Sequence, residues 1–548
     1  MHEIAKQNLT CTKETKIKFG FNKKLLEFCN LRDTYSAFLF NRKNMEKYIE
    51  IMDTTLRDGE QTSGVSFTPA EKLNLVRQLL EDLKVDRVEI ASARVSQGEF
   101  EAVKQIATWA KSINKIERIE VLGFIDNNQS LDWINNAGVK VINLLTKGSL
   151  NHLTNQLRKT PQEHISDILK SIDYAESLGI KCNIYLEDWS NGMRNSQEYV
   201  LELMDGLKNS KLIRFMLPDT LGILNADETY NFCKLMIDRY PGLHFDFHAH
   251  NDYDLSVANV MAAVRAGVKG IHTTVNGLGE RAGNAPLSSV IATLKDHYKI
   301  STSVEENAIY RISKLVESFS GIRVPHNKPI IGENVFTQTS GVHADGDNKK
   351  NLYFNDLLPE RFGRVRKYAL GKTSGKANIL KNLQELGIEL DAEQMKQVTQ
   401  RVIELGDRKQ DVTREDLPYI ISDVLKGEKV DEHIKIVNYS LSVAKGLKSV
   451  ATLCIQIHEK NYEESASGDG QYDAFMKALL KIYLSLGKDI PKLVDYEVTI
   501  PPGGQTDALV ETVITWENGK LFNTRGLDSD QTVAAIKATT RMLNIIEK

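Results

Sequence analysis

The chain has 548 residues, 41% hydrophobic and 26% charged, and its 70 Lys and Arg face 73 Asp and Glu, a net charge of −3. It is too apolar for a disordered chain, and it lacks the basic excess of a general nucleic-acid binder. No apolar run reaches the ~18–20 residues that span a bilayer, and five scattered cysteines (Cys11, Cys29, Cys182, Cys233, Cys454) with no CxxC pair argue against a disulfide framework or a thiolate zinc site.

Those thiols are expected to be reduced and structural, in a cytoplasmic protein. Residues 1–46 show no clean period, and LLEFCN is too short for a secretory core. They are expected to form a disordered, dispensable leader, ahead of a start at Met45. From residue 48, short Val- and Ile-rich runs alternate with longer stretches of helical spacing. The strand candidates are YIEIMD (48–53), DRVEIA (86–91), RIEVLGF (118–124), KVINLLT (140–146), KCNIYLE (181–187), IRFMLP (213–218), LHFDFHAH (243–250) and KGIHTTV (269–275). Pro69 opens one of the intervening helices, where a first turn tolerates it. About eight β–α units in roughly 250 residues predict a (β/α)8 barrel over 47–315. A doubly wound sheet would carry a Gly-rich phosphate turn after its first strand, and TTLRDGEQ is not one.

In such barrels the reacting groups gather where strands end. The first strand is followed by Arg57, Asp58, Glu60 and Gln61; the fifth ends in Glu187; Asp219 and Thr220 follow the sixth; the seventh ends in His248 and His250; the loop after the eighth ends at Asn284. Alternate residues of a strand face one way, so His248 and His250 point together. Two imidazoles, the Asp58 carboxylate and the Asn284 amide oxygen make an N/O donor set for a divalent metal, Zn²⁺, Mn²⁺, Co²⁺ or Mg²⁺. Arg57 beside them is suited to polarising a carbonyl or holding a carboxylate.

DTTLRDGEQ (53–61), HAHND (248–252) and GLGERAGN (277–284) together resemble the metal-dependent Claisen-type acyl-CoA condensing enzymes, which include 2-isopropylmalate, homocitrate and citramalate synthases. SGVHADG (340–346) and LGKTSGKA (370–377) look like that family's connecting subdomains, with Thr373 where many members have His. GDGQYDAFMKAL, GGQTDALVETVITW and DQTVAAIKATTRMLN look like its regulatory domain. The likeness implies helical connecting subdomains over 316–432 and an α+β regulatory, dimerising domain over 433–548. It implies acetyl-CoA and a 2-oxo acid as substrates, Asp58, His248, His250 and Asn284 as metal ligands, and Arg57 on the keto oxygen. Glu187 and Thr220 match residues that hold the 2-oxo acid. His343 and Tyr353 match residues that reach the active site from a partner subunit of a homodimer.

Leu122, Leu145 and Tyr185 lie on strands three, four and five, below the ligands. If they line the pocket they leave little room beyond a methyl group, which favours pyruvate over 2-oxoisovalerate. The strings RVEIASARVSQGEF, NLLTKGSLNHL and YLEDWSNGMRNS look most like bacterial (R)-citramalate synthases, with 2-isopropylmalate synthase as the alternative. A non-catalytic amino-acid-sensing dimer is the alternative of another class, and the intact rim argues against it. The last segment reads as strands then a helix, twice, behind a charged linker at 424–433, with Gly468, Gly470, Gly503 and Gly504 placed at turns. It is expected to bind an end-product amino acid, isoleucine or leucine.

Overall fold

The computed structural model describes residues 48–348, 352–353, 355–407, 412, 414–425, 434–499, 510–528 and 530–547. The expected leader, most of the charged linker, Gly503 and Gly504 lie outside the described residues.

Eight strands form a closed parallel barrel in chain order: β1 (Glu50–Asp53), β2 (Arg87–Ser92), β3 (Ile119–Phe124), β4 (Val141–Lys147), β5 (Lys181–Glu187), β6 (Leu212–Asp219), β7 (Phe245–Ala249) and β8 (Gly270–Thr273). β1 closes onto β8 from Glu50↔Gly270 to Asp53↔Thr273. The strands differ from their sequence-read limits mainly at the ends, where pairing rather than hydrophobicity decides the boundary.

The helices begin where their sequences provide caps. Thr68 and Glu71 form a capping box ahead of Pro69–Arg77, Thr160 and Glu163 ahead of Pro161–Ser177, and Asn225 and Glu228 ahead of Ala226–Arg239. Each box satisfies end N–H groups that would otherwise lack partners, at about 1 kcal/mol per cap. Helix Gln97–Ser112 buries Ala102, Val103, Ile106, Ala107 and Ala110, an i, i+4, i+8 stripe laid on the strands.

The barrel interior is less apolar than bulky filling would make it. Its amino-terminal half is closed by Arg87, whose guanidinium meets Asp246 at 2.5 Å, Glu120 at 2.8 Å and Glu50 at 3.3 Å, while Arg214 adds 2.8 Å to Glu50. Above this ionic layer lies an apolar one of Met52, Leu122, Tyr185 and Met216, with Leu145 against it.

The chain divides into two compact units, one of residues 1–336 with 355–366 and one of 337–354 with 367–548. The second contains a short parallel pair, β9 (Thr337–Gln338) with β10 (Lys367–Tyr368), and a helical cluster built on Ile379, Leu383, Met395, Val398 and Leu417. Two antiparallel sheets follow. β11 (Ile434–Ser442), β12 (Ser449–Ile457) and β13 (Lys460–Gly468) precede helix Gln471–Ser485; β14 (Lys492–Thr499), β15 (Val510–Glu517) and β16 (Leu521–Asp528) precede helix Gln531–Ile546. Both halves contribute to one core, with Leu453, Phe475 and Leu479 from the first and Ile514, Trp516 and Met542 from the second. Each half therefore has a third strand that hydrophobic patterning passes over. KNYEESASG buries little but Gly468, so its pairing to β12 is held by backbone hydrogen bonds. No helix among the described residues is long and apolar enough to cross a membrane.

Candidate active site

The turn after β1 places two of the candidate residues. The N–H groups of Arg57, Asp58 and Gly59 all approach the Thr54 carbonyl, at 3.2, 2.9 and 3.1 Å. The turn wraps that oxygen and aims Arg57 and Asp58 into the mouth. Lys72 anchors it from below: its buried ammonium reaches the Leu56 and Ile90 carbonyls at 3.3 Å, Glu60 at 2.7 Å and Glu99 at 2.5 Å. Glu60 is thus an anchor, and its other oxygen accepts from the Phe67 N–H. Gln61 is exposed, and Asp219 accepts from the Ile223 and Leu224 N–H groups. Glu60 and Asp219 serve the loops, and none of these three rim residues belongs to the Asp58–His248–His250 cluster.

Asp58, His248 and His250 come together. Their ligand atoms lie within 4.8 Å of one another, all buried, with Asp58 Oδ2 at 3.3 Å from His248 Nε2 and 3.8 Å from His250 Nε2. Asn284 pairs with His250 in an isolated bridge, and its amide nitrogen donates to the Leu278 carbonyl at 3.2 Å. That bond turns Asn284 Oδ1 into the free end. Gly279 permits this: at φ +156° a Cβ there would stand 2.2 Å from the Asn284 amide. Asp58 Oδ1, Asn284 Oδ1 and the Nδ1 atoms of both histidines are buried without a protein partner. Buried polar atoms left unmatched are costly, so the unmatched Asp58 and Asn284 oxygens, on residues beside the two imidazoles, point to a ligand they were built for.

The electrostatics suit a cation. Burial, with His248 adjacent, pushes the His250 imidazole down to about 4, and burial lowers His248 despite Asp58 beside it. Burial opposes ionisation of Asp58, yet Arg57 and His248 hold it well below the usual carboxylate range. Two neutral imidazoles, an ionised carboxylate and an amide oxygen fit a divalent ion of borderline hardness.

Arg57 is gripped from three sides. Its Nε donates to Glu89 at 2.6 Å, Nη1 to Asp58 at 3.1 Å and Nη2 to the Tyr185 hydroxyl at 3.4 Å. Glu89 is fully buried on β2 and also accepts from Thr54 at 2.7 Å and Asn143 at 2.8 Å. Sequence reading missed Glu89; its signal was a carboxylate between Val88 and Ile90 inside a strand. The Tyr185 hydroxyl also meets His272 Nδ1 at 3.0 Å, and His272 Nε2 faces Asp246 at 3.2 Å. Burial lowers the His272 imidazole, so one proton serves it. Placed on Nε2 for Asp246, that proton leaves Nδ1 to accept from Tyr185.

Leu122, Leu145 and Tyr185 share one apolar cluster, joined by Met52 and Met216, which sequence reading did not select. Glu187 is half-buried and paired with Lys147, a cation also passed over. The Thr220 hydroxyl does not cap the next helix, which Asn225 caps; it accepts from the Asp188 N–H at 2.9 Å. Its proton remains available. His343, on helix Gly341–Asn348, and Tyr353 lie in the second unit, both exposed, with rings 4.3 Å apart. They form a pair of their own, while the rim cluster is built from the first unit alone.

Three family descriptions match in tandem: HMGL-like over residues 48–316, homocitrate synthase post-HMGL domain-like over 330–410, and the LeuA allosteric (dimerisation) domain over 411–547. The chain is 33% identical over 503 residues to the (R)-citramalate synthase of Methanocaldococcus jannaschii, covering 91% of this chain and 99% of that one. It is 34% identical over 510 residues to the 2-isopropylmalate synthase of the same organism, covering 92% and 95%. The 2-isopropylmalate synthase of Pyrococcus furiosus is 35% identical over 513 residues, covering 92% and 100%.

Proposed function

The chain belongs to the acetyl-CoA-dependent 2-oxo acid condensing synthases, and we propose that within this family it joins acetyl-CoA to pyruvate and hydrolyses the thioester, giving (R)-citramalate and CoA. The observation that carries the choice of acceptor is the apolar floor of Met52, Leu122, Leu145, Tyr185 and Met216 beneath Arg57. All five side chains are large, and the Tyr185 hydroxyl is tied to His272, which supports an acceptor with a methyl group in preference to a branched chain.

In this reading Asp58, His248, His250 and Asn284 hold a divalent cation, which supplies Lewis-acid polarisation of the acceptor's carboxylate and keto oxygens. Arg57, fixed by Glu89 and Tyr185, donates to the keto oxygen as it takes on charge. The Thr220 proton, not used by Asp188, goes to the acceptor's carboxylate, and Glu187 stands at the same edge. The partner subunit's His343 and the partner subunit's Tyr353 complete the site, with the imidazole as the acid–base group.

Thiol release from acetyl-CoA with Mn²⁺, measured against pyruvate, 2-oxobutyrate, 2-oxoisovalerate and 2-oxoglutarate, tests the acceptor. Pyruvate is expected to give the highest kcat/KM, with a graded fall of ~1–3 kcal/mol for each added methylene. A higher kcat/KM for 2-oxoisovalerate would make the enzyme a 2-isopropylmalate synthase.

The LeuA allosteric (dimerisation) match supports a homodimer regulated through its C-terminal domain. We assign isoleucine as the inhibitor, as befits a citramalate-forming enzyme. Titrating the intact enzyme with both amino acids is expected to show inhibition by isoleucine; inhibition by leucine alone, or by neither, refutes the assignment.

A further inference from the structure

We propose that Lys147 is a positioning residue for Glu187: its ammonium holds and neutralises that carboxylate, so that the mouth can take an anionic 2-oxo acid beside it. This rests on the condensing-synthase reading above and adds a residue to it.

The placement follows from register. β4 and β5 pair Leu145 with Tyr185 and, two residues on, Lys147 with Glu187. Leu145 and Tyr185 face the barrel interior, so strand alternation turns Lys147 and Glu187 to the interior as well, one layer nearer the mouth. There the ammonium pairs with the Glu187 carboxylate, the two side chains being 7% and 24% exposed. Glu187 is the only carboxylate paired with Lys147 among the described residues.

The main chain of Lys147 is clamped from outside the barrel. Its N–H donates to His164 Nε2 at 3.2 Å, and its carbonyl accepts from the Tyr199 hydroxyl at 2.7 Å. Both side chains are buried, and burial pushes the His164 imidazole down to about 4, so the ring is neutral, and the Lys147 N–H facing Nε2 makes that nitrogen the acceptor. The next N–H, of Gly148, donates to the Glu187 carbonyl at 2.6 Å. Gly192 packs so close that a Cβ there would stand 2.0 Å from the Gly148 oxygen. A lysine at a strand end is ordinarily a solvated tip, and a solvated ion pair is worth little. This one has its backbone fixed and its charge withdrawn from water.

The chemistry supplies the reason. A 2-oxo acid arrives as an anion. An unpaired Glu187 in a poorly solvated mouth would repel its carboxylate. Paired with Lys147, the same carboxylate is charge-balanced and held in one rotamer. Lys147 need not touch the substrate to do this.

The test uses the full-length, Mn²⁺-loaded enzyme as wild type, Lys147→Met, Lys147→Arg, Glu187→Gln and the double variant Lys147→Met/Glu187→Gln. The acceptor is whichever 2-oxo acid the wild type turns over best, so failure of the pyruvate assignment leaves the comparison intact. A wild type without condensation on any acceptor would instead refute the reading beneath it. Lys147→Met is expected to raise KM for the oxo acid roughly ten- to a hundredfold, to lower kcat by less, and to leave KM for acetyl-CoA near its wild-type value. Lys147→Arg should restore most of the loss. Adding Glu187→Gln to Lys147→Met should bring KM part of the way back, because it removes the stranded charge. An oxo-acid KM within about twofold of wild type in Lys147→Met, or purely additive effects in the double variant, overturns the proposal. Should Lys147→Met fail to fold, the double variant decides: folded and within about tenfold of wild type in oxo-acid KM supports the pairing, and unfolded or weaker than that overturns it.

Discussion

Replacing His248 with alanine is expected to remove the bound metal and to lower kcat about a thousandfold or more, since a catalytic cation supplies several kcal/mol of charge stabilisation at the reacting oxygens. Asp58, His248 and His250 bring three ligand atoms within 4.8 Å of one another at the barrel mouth, and Asn284 arrives beside His250 with its oxygen left free. Removing one imidazole deletes one of the three clustered ligand atoms. It also frees the Asp58 carboxylate to turn fully toward Arg57, 3.1 Å away. Metal content after desalting, read by elemental analysis, should fall from one equivalent per chain to nearly none, and a folded far-ultraviolet spectrum should survive. A His248→Ala enzyme that keeps its metal and its turnover would remove the site.

The barrel was legible because its two periods are strong. Val- and Ile-rich runs of about six residues, spaced by capped amphipathic helices, leave few other closed solutions. The Asp58–His248–His250 cluster was legible because its residues sit where strands end, and alternation alone puts His248 and His250 on one side. What sequence reading missed follows a pattern. Glu89 lies inside a strand between Val88 and Ile90, and Lys147 ends one, where a lysine reads as a solvated tip; the partner of each is far away in the chain. The meaning of Lys147 depends on β4–β5 register with Glu187, and that of Glu89 on barrel closure, which brings it to Arg57 in the β1 turn and to Asn143 on β4; neither is written locally. Met52 and Met216 were passed over because a strand residue beneath a pocket reads like any core residue. Glu60 and Asp219 stand at the rim as expected, but they face loop partners. A polar residue at the rim looks functional until its partners, Lys72 and the Ile223 and Leu224 N–H groups, are seen. β13 and β16 were missed because edge strands of a half-solvated sheet bury few side chains.

Arg57→Lys is expected to cost about 10²–10³ in kcat although it keeps the charge, the range found when a preorganised oxyanion donor is lost. The guanidinium spends each nitrogen on a different neighbour: Nε on Glu89, Nη1 on Asp58, Nη2 on Tyr185. An ammonium is a single point and cannot span the three. If it stays with Glu89 it abandons the mouth, and if it reaches the keto oxygen it strands Glu89. That second cost is large, because Glu89 is completely buried: burial favours its protonated form, and Arg57 with Asn143 and Thr54 reverses this and holds the carboxyl below its ordinary value. Arg57→Leu should therefore do more than lose activity. With the cation gone, burial dominates and Glu89 takes up a proton on folding. A carboxylate with a raised folded-state pKa stabilises the fold at low pH and loses that contribution as pH rises through the raised value. In the wild type the shift is downward, so Glu89 contributes stability above its unfolded value of about 4.3 and loses it only in acid. The metal-free Arg57→Leu protein should accordingly melt at a lower temperature at about pH 8 than at about pH 5, relative to wild type over the same interval. Adding Glu89→Gln to Arg57→Leu should flatten that slope without restoring kcat, because the stranded charge is gone but the donor at the keto oxygen is still missing. An Arg57→Lys enzyme with kcat within about threefold of wild type would contradict the fork argument, since a point charge would then suffice.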